Sequence, residues 1–243
     1  MSKLPKAPLI EVVLELKWEI LNKEDINELQ YLHGDLYSKL NDKYPFRENI
    51  LPYDIPLDIL ANQPVYRFRS SENGYPLVQL GPGIITLNTT DEYYEWGKFS
   101  NLSVMLFEKF SQVYSKFNLK KYSPSLLYLD FFPFDFEKNN VYEFINNNFS
   151  IVINQSFLEN KGNPKQVNFS FDYQLENDDL SVVFQKGINS QGIDGIILQS
   201  RINGGLIGAD LKLINDWVNS AHETVSEIFK KITEGRLYES FKG

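Results

Sequence analysis

Cysteine is absent from the 243-residue chain, which removes disulfide frameworks, thiolate metal sites and cysteine nucleophiles together. Histidine is nearly absent. His33 and His222 are the two imidazoles, and no zinc-protease spacing joins them, so a histidine metal site would need both of them plus carboxylates. No cofactor or metal is therefore expected. Positive charge is scarce too: 24 Lys and Arg stand against 32 Asp and Glu, for a formal net charge of -8. That balance disfavours phosphate backbones and anionic lipid, so a direct nucleic-acid partner is not expected. No apolar run approaches the roughly 18 residues of a membrane span, and the polar start of the chain lacks a signal-peptide core. A cytoplasmic protein with no membrane partner is the expectation. Catalytic motifs are missing as well. There is no G-x-S-x-G elbow and no Gly-Lys-Ser/Thr phosphate loop, and in Gly81-Pro82-Gly83 the proline removes a donor that a phosphate would need, which leaves a turn.

What is present is an ordinary globular composition, 42% hydrophobic and 23% charged. At about 150 residues per domain, the length fits one large domain or two small ones. Ile10, Val12, Leu14, Leu16, Trp18 and Ile20 alternate with Glu11, Val13, Glu15, Lys17 and Glu19, which predicts a strand with one wet face. Asn22 then caps a helix carrying Ile26, Leu29, His33, Leu36 and Leu40, which ends before Pro45. Prolines at 45, 52, 56 and 64 predict a long loop over 44–64. Short strands follow at 65–70, 76–80 and 84–88, and Ser100 is placed to cap a helix with Leu106, Phe107, Phe110, Val113, Tyr114 and Phe117 on one side.

The remainder repeats that order. An apolar strand at 126–132 leads to a short helix at 140–147 and a short strand at 151–154. A hairpin then joins 167–175 to 180–185, with a further strand at 196–202. Asp210 caps the last helix, whose stripe of Leu211, Ile214, Val218, Ala221, Val225, Ile228, Phe229 and Ile232 steps by three and four up to the stop at Gly235. The reading is an α+β fold of two similar halves, 1–121 and 122–243, each strand, helix, antiparallel meander, helix. Joined edge to edge they would form one curved antiparallel sheet with helices packed on one face, a single joint domain. By element order alone this is similar to the TATA-box-binding-protein and helix-grip folds. It is equally the order that any chain of meanders and helices produces without duplication.

Few residues offer chemistry. Asp130 interrupts the apolar strand 126–132, and a carboxyl among aromatics holds its proton more tightly unless Arg67, Arg69 or Arg201 pairs with it. The alternatives are the polar floor of a ligand cavity at Asp130, Arg201 and His222, or a wet strand face. His33 and His222 both sit on apolar stripes, where packing is the simpler role. His222-Glu223 could pair proton-transfer groups, but adjacent residues do not share a helix face. The segment Asp91, Glu92, Tyr93, Tyr94, Glu95, Trp96 and Phe99 offers aromatic anchors for a partner, the alternative being that they cap the core.

Three stretches carry a resemblance: Ala7-Pro8-Leu9-Ile10-Glu11-Val12-Val13; Gln79-Leu80-Gly81-Pro82-Gly83 with Leu87-Asn88, Tyr94 and Trp96; and Ala221-His222-Glu223 with Phe229, Ile232 and Thr233. Together they resemble a sporadically distributed bacterial protein family of similar length with no assigned biochemical activity. The resemblance implies a bacterial cytosolic protein from defence-like or toxin–antitoxin-like gene neighbourhoods, and it carries over no catalytic residue. The leading expectation is a non-enzymatic interaction or regulatory subunit that binds a co-encoded protein through Tyr93, Tyr94, Trp96 and Phe99, homo-oligomerisation being compatible with it. The second is a small-ligand module with a cavity between the sheet and the last helix. The third is an enzyme using His222 and Glu223.

Overall fold

The alternation that opens the chain sets the plan of the whole sheet. In the computed structural model, which describes residues 4–51, 60–155 and 163–243, strand β1 (Leu9–Trp18) buries Val12, Leu14, Leu16 and Trp18. Their neighbours Glu11, Val13, Glu15 and Lys17 take the other face, as a period of two requires. Asn22 caps α1 (Lys23–Leu40), its side-chain oxygen accepting from the Asp25 amide at 3.0 Å. The strands β2 (Phe46–Asn49), β3 (Tyr66–Arg69), β4 (Leu77–Gly81) and β5 (Ile84–Thr90) then meander back until β5 lies against β1, and α2 (Trp96–Val113) follows. The second half runs β6 (Tyr122–Pro133), α3 (Val141–Asn148), β7 (Asn168–Gln174), β8 (Asp178–Ile188), β9 (Asp194–Gly204), α4 (Leu211–Ile232) and α5 (Arg236–Ser240).

Among the described residues these strands form a single nine-stranded antiparallel sheet of order β2-β3-β4-β5-β1-β6-β9-β8-β7, with open edges at β2 and β7. The fold is α+β. β1 and β6, the opening strands of the two halves, pair at its centre with Leu14 opposite Leu126, and the meanders run outward from there. Helices pack on the sheet, with α2 against α4 and α4 against β6 and β9. Phe99, Leu106, Phe107 and Phe110 of α2 and Ile214, Val218, Ala221 and Val225 of α4 are buried there with Leu126, Leu198 and Ile202 of the sheet. That layer holds the core.

Four local expectations need correction. The predicted loop over 44–64 contains β2, while Pro52 and Pro56 lie outside the described residues. α2 begins a turn before Ser100, at Trp96, and the residue preceding it, Glu95, makes no side-chain capping bond. It also ends at Val113, leaving Tyr114 and Phe117 buried beyond it in non-helical and 3₁₀ backbone. Residues 151–154 form no strand, because the Asn146 side chain takes both the amide and the carbonyl of Ile153. The Gly81-Pro82-Gly83 turn has a packing reason: a Cβ on Gly81 would lie 1.9 Å from the Gln63 carbonyl oxygen, and Gly83 adopts φ 75°.

Candidate functional site

Periodicity on two facing elements builds one site. On β6 the period of two puts Tyr128 and Asp130 on the helix-covered side, and on α4 steps of three and four bring His222, Val225, Ser226 and Phe229 to meet them. The segment after β5 supplies Tyr94 and Trp96. The N-terminal stretch closes another wall: Pro8 is fixed by its carbonyl accepting from the Phe131 amide at 2.8 Å, and a bulge between Leu9 and Glu11 sets Leu9 opposite Asp130. These walls enclose a mostly apolar cavity of about 130 Å³ that opens to solvent.

A chain of hydrogen bonds crosses its floor. The Tyr94 and Tyr128 hydroxyls are 2.8 Å apart, and the Tyr128 hydroxyl is 2.8 Å from Nδ1 of His222. Ser226 Oγ lies at 3.3 Å from the same nitrogen. Trp96 stacks on the imidazole with ring centroids 3.7 Å apart and planes 11° from parallel. Burial pushes His222 down to about 4, so the ring is neutral at neutral pH. A neutral ring nitrogen offers one proton or one lone pair, and the shorter bond to Tyr128 takes it. Ser226 is thus left with the longer and weaker contact to that nitrogen.

Asp130 is the exception in this network. Its side chain lines the cavity at 5% exposure, and among the described residues it has no hydrogen bond or ion pair. Burial, helped by the Asp91 carboxylate, pushes its carboxyl up to about 8. At neutral pH it is mostly protonated and can donate as well as accept.

The residues singled out in the sequence divide accordingly. Asp130, His222, Tyr94 and Trp96 meet at the cavity, whereas Arg201 does not. It points from the other sheet face, donating to Glu15 at 2.9 Å and Ser125 at 3.0 Å, since neighbours along a strand face opposite ways. Arg67 and Arg69 pair with Glu48, so no arginine reaches Asp130. Of the four aromatics considered as partner anchors, Tyr93 is 47% exposed, Tyr94 and Trp96 turn inward, and Phe99 is buried in the core. Glu223 is exposed beside the buried His222, and His33 stacks on Tyr66 with centroids 4.1 Å apart, on a different helix. Among the described residues no group of three or more His, Asp or Glu side chains is placed to hold a metal ion.

Comparison with protein-family models, curated proteins and solved structures finds no significant match in any of the three. No described helix is long and apolar enough to cross a membrane. Tyr128, Phe229 and the Pro8-Leu9 wall were missed as site residues in the sequence. A signal existed for the first two, because Tyr128 is two residues from Asp130 on a strand and Phe229 is two turns beyond His222 on a helix. None existed for Pro8.

Proposed function

We propose that this chain is a small-ligand-binding module whose cavity takes an apolar group about one aromatic ring in size, anchored at Asp130 with the His222 imidazole in the wall beside it. The observation that carries this reading is the buried Asp130 carboxyl at the cavity wall, which has no hydrogen bond or ion pair among the described residues. A carboxyl held at an apolar cavity wall keeps hydrogen-bonding capacity that a bound polar group can take up. The size agrees: an engineered apolar cavity of about 150 Å³ admits benzene, and this one is about 130 Å³. Tyr94 and Trp96 are committed to its walls, which favours a ligand over a docked protein at this segment.

A fragment panel of one-ring acids, alcohols and amines, screened by ligand-observed NMR at millimolar concentration, tests the idea. Binding by at least one class is expected, together with its loss in Ser226→Leu, which fills the cavity from a half-buried wall position without touching Asp130. Silence from every class, or binding that persists in that variant, would remove the proposal.

A further inference from the structure

The geometry points to a small organic cation, an amine or quaternary ammonium on an apolar body, as the class of ligand this cavity takes. The inference rests on the cavity being a ligand site and names what enters it. Three observations carry it. First, the buried Asp130 carboxyl faces the cavity, and among the described residues no Lys, Arg or His nitrogen is in ion-pair contact with it, which leaves it open to a cation entering the cavity. Second, the surrounding walls are aromatic. Tyr94, Trp96, Tyr128, Phe229 and Tyr238 present ring surface, which attracts cations and has nothing comparable to give an anion. Third, the imidazole in the cavity is held neutral and stacked, so no cationic histidine is available there to receive a carboxylate or phosphate. Lys230, also at the wall, is the remaining cationic group among the described lining residues, and it makes no ion pair with Asp130.

Binding would carry a proton signature. An ammonium beside Asp130 favours its ionised form, so a fraction of a proton leaves the protein when the cation enters below about pH 8. Among the described residues the groups facing Asp130 are Asp91 and Tyr94 from the segment before α2, Tyr128 on β6, His222 and Lys230 on α4, and Tyr238 on α5, and the positive chain terminus also acts on His222. Burial holds Tyr94 and Tyr128 above the ordinary tyrosine range and His222 near 4, so these three stay neutral between about pH 6 and 8 while Asp130 titrates. Affinity for a cation should therefore rise as pH climbs through that window and level off above it.

The test compares near-isosteric probes on the intact chain by calorimetry: benzylamine, benzyl alcohol and benzoate, with tetramethylammonium as a cation that has no proton to lose. Benzylamine should bind at least about tenfold more tightly than the alcohol and the acid, and both cations should gain about threefold or more in affinity from pH 6 to 8. Asp130→Asn, which keeps the shape, should erase the preference and the pH dependence while leaving benzyl alcohol within about twofold. The wild-type selectivity and pH series stand even where that variant fails to fold. Equal or tighter binding of alcohol or benzoate would overturn the cation inference and leave the cavity proposal intact. If none of the four probes binds, both fall.

Discussion

Asp25 shows how a single carboxylate can hold two segments together. Its carboxylate accepts from the Leu21 amide at 2.9 Å, from Lys120 at 2.8 Å and from Lys116, tying the start of α1 to the connection between α2 and β6. Burial alone would raise its affinity for a proton, but the hydrogen bonds from the two lysines and Leu21 outweigh that and hold the carboxyl well below the ordinary value of 3.8. A depressed value in the folded chain means that the stabilisation is complete above about pH 4 and is lost as acid protonates the folded form. Asp25→Asn should lower stability at pH 7 by about 2 kcal/mol, less than for a fully enclosed pair because Lys116 reaches solvent. The deficit should shrink steadily below pH 4, as read from urea midpoints across a pH series. A deficit independent of pH would show that the carboxylate's charge is irrelevant. Asp25 was legible in the sequence as a first-turn acid of a helix, but not as the meeting point of lysines more than ninety residues away.

At the level of elements, legibility followed local determinacy. α4 could be read almost to the residue because Asp210 caps it, accepting from the amides of Lys212 at 2.8 Å and Leu213 at 3.3 Å, and because its stripe keeps a helical period to the end. The start of α2 could not, since the helix there is decided by Trp96 reaching His222 across the layer and not by a local cap. The strand expected over 151–154 failed for the mirror reason. Its alternation is real, but Ser150 bonds the end of α4 and Asn146 takes the Ile153 backbone, so no sheet edge receives it. The cap on α4 makes a separable prediction. Asp210→Ala should lower stability by about 1 kcal/mol, a fall of about 2–4 °C in Tm for a chain of this size. Ligand affinity should not change, because Trp217 still donates to Asp178 at 2.9 Å and Ile214 and Val218 keep the helix docked between the cap and the cavity. Differential scanning calorimetry with a benzylamine titration reads both, and parallel losses would mean that the helix shifts as a body.

Across the whole molecule, the order of elements did not say what lies where residues 1–121 and 122–243 meet. The central pairing of β1 with β6 and the packing of α2 on α4 join them, and the cavity falls on that seam: Pro8, Tyr94 and Trp96 come from one half, Tyr128, Asp130 and His222 from the other. Contacts such as Tyr94 with Tyr128 and Tyr128 with His222 link stretches that no local periodicity relates, which is why the site residues could be suspected singly in the sequence and not assembled. A seam this extensive has a thermodynamic consequence. Separating the halves would expose the central strand edges of both, together with the apolar faces of α2 and α4, so neither half should be stable while the other is unfolded. Trp18 on β1 and Trp217 on α4 report on the two halves, and Trp96 reports on the seam. Variants that keep one of these tryptophans and carry phenylalanine at the other two should therefore show, within each variant, a fluorescence midpoint in urea that coincides with its midpoint by circular dichroism. A Trp18 reporter that melts apart from the dichroism signal, or a Trp217 reporter that does, would show the halves unfolding independently. In that case a cavity lined by both halves would open whenever either half did.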